Sequence, residues 1–593
     1  MRAAPYVALL AIAYVLLNVP LFTAKPATFD QVKVFSVDEH KICINVQSQL
    51  RAGSFTDPGD KKITESGCNP YPYGQLYPLL IAAPLLALQS VVEIDEPAVV
   101  RWAVVLMVMS GVIILWMTYA TAARLYSPWY GLLAATLVLV TPEFLRWSNE
   151  IHPDLPQLAC LTTGFYFTVR LYEVAVADAR RRKIYAALAA ACAGLAMATK
   201  FNGFFLLPAI FVAYNRGVMS SRGFRWREVV GRNTAYGAAC FAVFVGATLA
   251  FNPCYVANPD LAWEPFSRSA ANSMLTVRAE LSPWERLQAI LHSNQVMAES
   301  FVGFGVYVLY LAAVVYALLR LWYRRDEELR SPRILAEVYA VPFLTYSLAL
   351  GYGLTDGRLL SGYERYLLPA LPMICISVLR VVELAARSSP QYRTAAAAAV
   401  AVVLLVGQAP LLVRFVEQYR YFHLRKEMGF FQVHDWALNN IPRGATIFTE
   451  AYIHVPFDQY RVTRHYAVDS EQLMAASDYV ITKTLDYEVY KKPDRWYLYS
   501  KVSSMVRSRE IYERLERGEF PGFERVALLS AGDAFEGNDA IAIYKNLAPK
   551  PDARRPPGRR MPPQARDEIT GGMYAEQIPA GLRKTPTAAA SPR

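Results

Sequence analysis

The feature that most constrains this chain is the recurrence of uninterrupted apolar stretches close to the ~20 residues that a helix needs to cross a bilayer. About eleven occur, at 5–22, 99–120, 131–147, 155–171, 185–199, 201–214, 235–251, 301–322, 336–352, 366–384 and 394–413. Inside lipid no water can satisfy the backbone, so each such stretch has to fold as a helix. Of the 593 residues, roughly 220 then lie in lipid and about 370 outside it. Only 19% of residues are charged, against about 25% in a soluble domain, which excludes an ordinary soluble enzyme. The fold class this predicts is an α-helical polytopic membrane protein of about eleven transmembrane helices with substantial mass outside the bilayer.

Charge sets the expected sidedness. Lys and Arg concentrate at Arg180, Arg181, Arg182 and Lys183, then at Arg216, Arg222, Arg225, Arg227 and Arg232, then at Arg324, Arg325, Arg330 and Arg333. By the positive-inside rule these three loops face the cytoplasm, so an even number of crossings separates them. Only 32 residues lie between Lys183 and Arg216, which requires two short helices turning near Lys200. The same parity argues against a full crossing by the apolar segment 73–88, where Pro72, Pro78 and Pro84 also oppose a regular spanning helix. It is read as a juxtamembrane or re-entrant piece on the outer face. The first segment has no small-residue cleavage site and is read as a retained helix with a cytoplasmic N-terminus. The chain is then a multi-pass protein of the plasma (inner) membrane.

Beyond residue 413 the character changes. The segment 436–442, the strand-like 445–448, the alternating 478–484 and the final 540–544 suggest a small α/β unit. From Pro549 to Arg593 the chain is rich in Pro, Arg and Ala, a composition that cannot bury a core. The expected organisation is a membrane part over 1–415, whose first outer loop spans 24–98, an extracytoplasmic α/β domain over 416–548, and a disordered tail over 549–593. Much of the net charge of +11 belongs to the inward loops and this tail, so it marks topology and not a nucleic-acid partner. The seven cysteines show no CxxC or Cys/His spacing, which argues against structural zinc.

The outward loops hold the candidate chemistry. Asp38 and Glu39 follow the first helix by about fifteen residues, with His40 and Lys41 behind them; adjacent carboxylates can divide proton transfer from substrate or metal orientation, or simply open a solvated loop. His152 and Asp154 lie in the short loop 149–154, where Asp154 competes between helix capping and a catalytic or metal-binding role. Lys200 sits between apolar residues at the tip of the hairpin, where a cation needs a buried anion or must snorkel to headgroups. Arg358 and Arg365 stand before the tenth span; Arg365 can clamp phosphate oxygens or pair with Glu364.

The order of these pieces resembles the GT-C glycosyltransferases. It comprises Asp38-Glu39 in the first outer loop, Pro153-Asp154 after the third span, Gly194-Leu-Ala…Lys200 at a hairpin, Phe251-Asn-Pro253, and Glu364-Arg-Tyr-Leu-Leu-Pro369 before a later span. The pattern looks closest to the protein O-mannosyltransferase and lipid A aminoarabinose transferase group. Trp436…Asn440-Ile-Pro-Arg-Gly-Ala445 and Ser477-Asp-Tyr-Val-Ile-Thr482 look like the small outer domain of bacterial members, so the likeness covers residues 1–547.

The resemblance implies an integral-membrane enzyme that passes a sugar from a polyprenyl-phosphate carrier to a glycan, lipid or protein acceptor on the extracytoplasmic face, by inverting transfer. Asp38, Glu39 and Asp154 then take catalytic roles, and Lys200, Arg358 and Arg365 take the donor phosphate. His152 beside Asp154 departs from the family pattern; with Asp38 it completes a candidate ligand set for a divalent metal, which several relatives do without. Thr56–Asn69 is an insertion without a counterpart, and Cys43 and Cys68 are candidates for a disulfide in an oxidising outer compartment. The rival readings are a transporter or flippase of a lipid-linked sugar, which requires a polar path through the bilayer, and a sensor whose outer domain binds a cell-wall polymer.

Overall fold

The computed structural model describes residues 4–23, 37–56, 74–175, 177–200, 203–219, 226–259, 284, 301–323, 331–340, 368–388, 390–424, 429–450, 453, 455–456, 459–465, 468–484, 502–530 and 540–548. The apolar stretches fold as helices: α1 (Ala4–Thr23), then the more polar α2 (Val37–Ala52), α3 (Leu76–Leu88), α4 (Glu96–Leu125), α5 (Pro128–Leu139), α6 (Pro142–Asn149), α7 (Asp154–Glu173), α8 (Ala179–Thr199), α9 (Leu207–Met219), α10 (Trp226–Ala250), the short α11 (Pro253–Ala257), α12 (Phe304–Tyr323), α13 (Leu371–Arg387) and α14 (Pro390–Leu424). Residues 334–340 are also helical.

Among the described residues four helical stretches are long and apolar enough to cross a membrane: 96–125, 304–323, 368–387 and 390–417. A fifth results if α5 and α6 count as one broken span, and shorter apolar helices lie at 5–20, 76–88, 203–215 and 236–250. Their outer faces stay apolar. Leu9, Ile12 and Leu16 on α1, Leu318 and Trp322 on α12, and Val402, Val406 and Val416 on α14 are all more than half exposed, a surface suited to lipid and not to water.

Two expectations meet their outcome here. Segment 73–88 forms α3, only 13 residues long, about 20 Å by helical rise and well short of the ~30 Å hydrocarbon core. Segment 131–147, read as one span, is instead broken: α5 and α6 diverge by 64°. Thr141 precedes Pro142 and is extended, with φ −74° and ψ 120°. Proline excludes the helical region from the residue before it, and the chain turns there. The expected span 336–352 is described only as far as residue 340, and the tail 549–593 lies outside the described residues.

Contacts at the helix ends give the bundle two distinct poles. At one pole Arg124 near the end of α4 bonds Glu173 at the end of α7 (2.7 Å). Arg170 donates to Tyr185 near the start of α8 (3.0 Å), and Arg333 reaches both the Leu125 carbonyl and Glu383 (3.2 and 2.9 Å). Arg182 and Arg333, from two of the basic loops, therefore share this pole with the ends of α4 and α7 and the start of α8. The opposite pole gathers the start of α7 and the end of α8. About one turn in from the Arg333–Glu383 contact, Arg380 of α13 makes a fork to Glu337 (2.9 and 3.2 Å), both only 4% exposed at the side chain.

The C-terminal unit is α/β. Helix α15 (Gly429–Asn440) precedes β1 (Thr446–Glu450), β2 (Arg461–His465), α16 (Glu471–Ala475), β3 (Tyr479–Lys483), α17 (Val502–Glu516), β4 (Phe523–Leu529) and β5 (Ile541–Asn546). The sheet order is β2-β1-β3-β5-β4, with β1 parallel to both neighbours and β5 antiparallel to β3 and β4. Two apolar layers flank it, one around Phe448, Val480 and Tyr512 and one around Ile447, Ile481 and Ile543. The alternation of β1 and β3 thus feeds both faces of a covered sheet.

Arg380→Met leaves the Glu337 carboxylate buried without its fork, which costs about 3–5 kcal/mol. Thermal unfolding in detergent should show a lower midpoint for this variant, and Arg380→Met with Glu337→Leu should recover most of it.

Candidate active site

Two turns of helix build the site. Asp154 is the first residue of α7, after Pro153 at the N-cap. Lys200 is the C-cap of α8, extended at φ −159° and ψ 142°. Because α7 and α8 pack antiparallel, these ends meet, and the Lys200 ammonium is ion-paired to Asp154 Oδ1. His152 Nδ1 lies 2.7 Å from Asp154 Oδ2. All three are buried, at 1%, 1% and 5% exposure for His152, Asp154 and Lys200. The buried-anion reading of Lys200 therefore replaces the snorkelling one, and Asp154 spends its carboxylate on Lys200 and His152, while the N-cap position belongs to Pro153.

Neighbours fix this geometry. Gln157, one turn into α7, donates to the carbonyls of Lys200 (2.7 Å) and Ala196 (3.2 Å), so it ties the start of α7 to the end of α8, where the Lys200 amide also donates to Ala196. The His152 ring packs on Trp147 at 5.2 Å, whose indole donates to Glu143 Oε2 (3.1 Å). Arg146 lies over the same indole, and its Nε is 3.6 Å from Glu150. Asn149 donates to Asn18 Oδ1 of α1 (3.1 Å). The 64° bend is what turns α6 so that Trp147 can meet His152.

A second support comes from the segment before α3. The Gly74 amide donates to the Thr199 carbonyl (3.2 Å), next to Lys200. A Cβ on Gly74 would stand 1.9 Å from the Ala198 oxygen, so only glycine allows this approach. The Gln75 backbone amide donates to Asn252 Oδ1 (2.8 Å), and its side-chain Oε1 accepts from the Cys254 amide (3.1 Å). Cys254 is disulfide-bonded. Cys43 is in no disulfide and is buried on α2 between Ile42 and Val46; this corrects the pairing of Cys43 with Cys68, and Cys68 lies outside the described residues.

Asp38 and Glu39 stand in the first turn of α2; their side chains, like Arg358 and Arg365 as a whole, lie outside the described residues. The structure thus brings together His152, Asp154 and Lys200. Trp147, Gln157, Gly74 and Gln75 are added by the fold alone; Gln157 was open to detection as a polar residue one turn after Asp154 in an apolar helix. No three His, Cys, Asp or Glu groups that could hold a metal gather among the described residues. With Lys200 on one Asp154 oxygen and His152 on the other, the cluster as it stands does not fit a divalent cation.

Residues 82–251 match the family model described as dolichyl-phosphate-mannose-protein mannosyltransferase. The resemblance to the GT-C glycosyltransferases holds over that stretch. It runs from α3 to the end of α10 and includes His152, Asp154 and Lys200. No curated protein matches the chain in sequence. Among solved structures, ArnT from Cupriavidus metallidurans bound to undecaprenyl phosphate aligns at 11% identity and a TM-score of 0.48, over 91% of this chain and 98% of that one. The oligosaccharyltransferase of Archaeoglobus fulgidus aligns at 11% identity and a TM-score of 0.47, over 84% of this chain and 71% of that one.

Asp154→Asn removes the carboxylate from a buried ammonium, and Lys200→Met removes the ammonium from a buried carboxylate. Each single variant should lower the unfolding midpoint, and the double variant should be less damaging than the sum. A coupling of at least about 1 kcal/mol in the double-mutant cycle is expected; additive losses would mean the two groups do not interact.

Proposed function

We propose that this chain is an integral-membrane glycosyltransferase that moves a sugar from a polyprenyl-phosphate carrier to an acceptor hydroxyl at the extracytoplasmic face. The observation that carries the reading is the buried His152–Asp154–Lys200 cluster at one pole of the bundle, inside the stretch that matches the mannosyltransferase family. A buried ammonium held by one carboxylate is suited to a second anion, and the phosphate of a lipid-linked sugar is one that arrives through the membrane. In this reading the pole with Arg182 and Arg333 is cytoplasmic, about eleven spans make up residues 1–415, and 416–548 is the extracytoplasmic domain.

Asp38 takes the proton of the acceptor hydroxyl. The hydroxyl oxygen attacks the anomeric carbon from the face opposite the phosphate, the bond between that carbon and the phosphate oxygen breaks, and polyprenyl phosphate leaves with both electrons. The configuration inverts. Lys200, with Arg365 and Arg358, offsets the charge that grows on the leaving phosphate. Asp154 holds Lys200 in place, and Glu39 orients the acceptor.

The test is transfer from polyprenyl-phosphate mannose and related donors to envelope acceptors, in reconstituted membranes. Lys200→Met should raise the donor KM about ten- to a hundredfold, the worth of one charge-assisted hydrogen bond. Asp38→Asn should lower kcat by about 10²–10⁴ with little change in donor KM. Transfer by Asp38→Asn at the wild-type rate would remove the general-base role, and an absence of transfer from any lipid-phosphate sugar by the wild type would remove the proposed activity.

A further inference from the structure

Helix α2, which opens with Asp38 and Glu39, is polar in sequence yet buried on most sides. Ile42, Cys43, Asn45, Val46, Ser48 and Gln49 are each at most 1% exposed. Two of these are amides whose hydrogen-bonding groups are unmet: Asn45 Oδ1 and Nδ2, and Gln49 Oε1 and Nε2, have no partner among the described residues. A buried polar group left unpaired costs about 1–3 kcal/mol. Four such atoms on one short helix are a standing cost in the free protein, and packing alone would favour leucine at both places.

The two amides are not scattered. At 100° per residue, Asp38, Ile42, Asn45 and Gln49 fall within about 60° of one another around the helix. They form a single stripe that starts at the acidic pair. Helix α3, on which α2 packs, is preceded by Gly74 and its N-cap Gln75, and Gly74 is bonded to Thr199 beside Lys200. The Gln75 Nε2 is likewise buried and without a partner among the described residues. The α2 and α3 pair therefore belongs to the pole that holds Lys200.

We infer that Asn45 and Gln49 read the hydroxyl groups of the sugar carried by the lipid donor. This rests on the proposed glycosyltransferase reading and deepens it. A pyranose or furanose presents neighbouring hydroxyls, each both donor and acceptor, and a carboxamide offers one acceptor and two donors in a plane, so the two match without any change of charge. The amides then select the sugar, while the cations take the phosphate and Asp38 takes the proton. Asn45 is seven residues from Asp38, about 10 Å along the helix, a span that its side chain and a single sugar ring together bridge.

The experiment measures binding in lipid nanodiscs to undecaprenyl phosphate bearing mannose, glucose, galactose or arabinose, each against bare undecaprenyl phosphate. The wild type should prefer at least one sugared lipid by about tenfold or more. Asn45→Leu and Gln49→Leu should lose that preference, keep affinity for the bare lipid, and melt at or above the wild-type temperature, because each removes unpaired buried groups. A structural role predicts the reverse, a lower melting temperature. Asn45→Ala and Gln49→Met are read the same way if the leucine variants are not recovered.

Retention of the preference by the variants overturns the inference, as does its loss together with a lowered melting temperature. A wild type that binds bare and sugared lipids equally also overturns it while leaving the phosphate site standing. A wild type that binds neither removes the glycosyltransferase reading itself.

Discussion

The Asp154–Lys200 ion pair is the constraint around which this pole of the bundle is organised. A carboxylate and an ammonium cannot both lie buried unless they meet and their remaining valences are filled. Meeting requires the start of α7 to lie against the end of α8, which is an antiparallel hairpin in exact alignment. Gln157 then bonds carbonyls at the end of α8, Gly74 comes within reach of Thr199, and His152 is carried onto the other carboxylate oxygen. The pair offers little net stability by itself. What it gives is alignment, since sliding either helix by one residue would bury two unpaired charges.

Much of the membrane part was legible because its signal is strong and local. Long apolar runs have one folded solution in lipid, and the helices fall close to the stretches expected. The break at Thr141 was missed because the hydropathy of 131–147 is continuous across it, although Pro142 carried the signal. In the C-terminal unit, β1, β3 and β5 were readable, β1 as a short strand-like run and β3 from its alternation. The edge strands β2 and β4 were not: Arg461–His465 has charged residues at both ends, and β4 leaves several residues exposed. Edges have a neighbour on one side only and so carry a weaker pattern.

The site shows the same division. Asp154 and Lys200 stood out because charges beside apolar helices are rare and need a reason. Their mutual contact did not stand out, since it depends on the length of the loop between α7 and α8 and on the turn at each end. Trp147 and Gln75 are ordinary residues in sequence and gain their place only from a 64° bend and a glycine that lets two backbones touch. The unpaired amides of α2 are invisible to any pattern of hydropathy, because burial of a polar helix is a tertiary outcome.

Helix α14 is the last element of the membrane part before the C-terminal unit. Its 35 residues form a rod about 50 Å long, ending a few residues before α15 and the sheet. Phe415 and Tyr419, near its far end, pack on Leu145 of α6, two residues before the tryptophan that walls His152. The end of α14 nearest the sheet in sequence is therefore seated against the helix whose tryptophan walls His152.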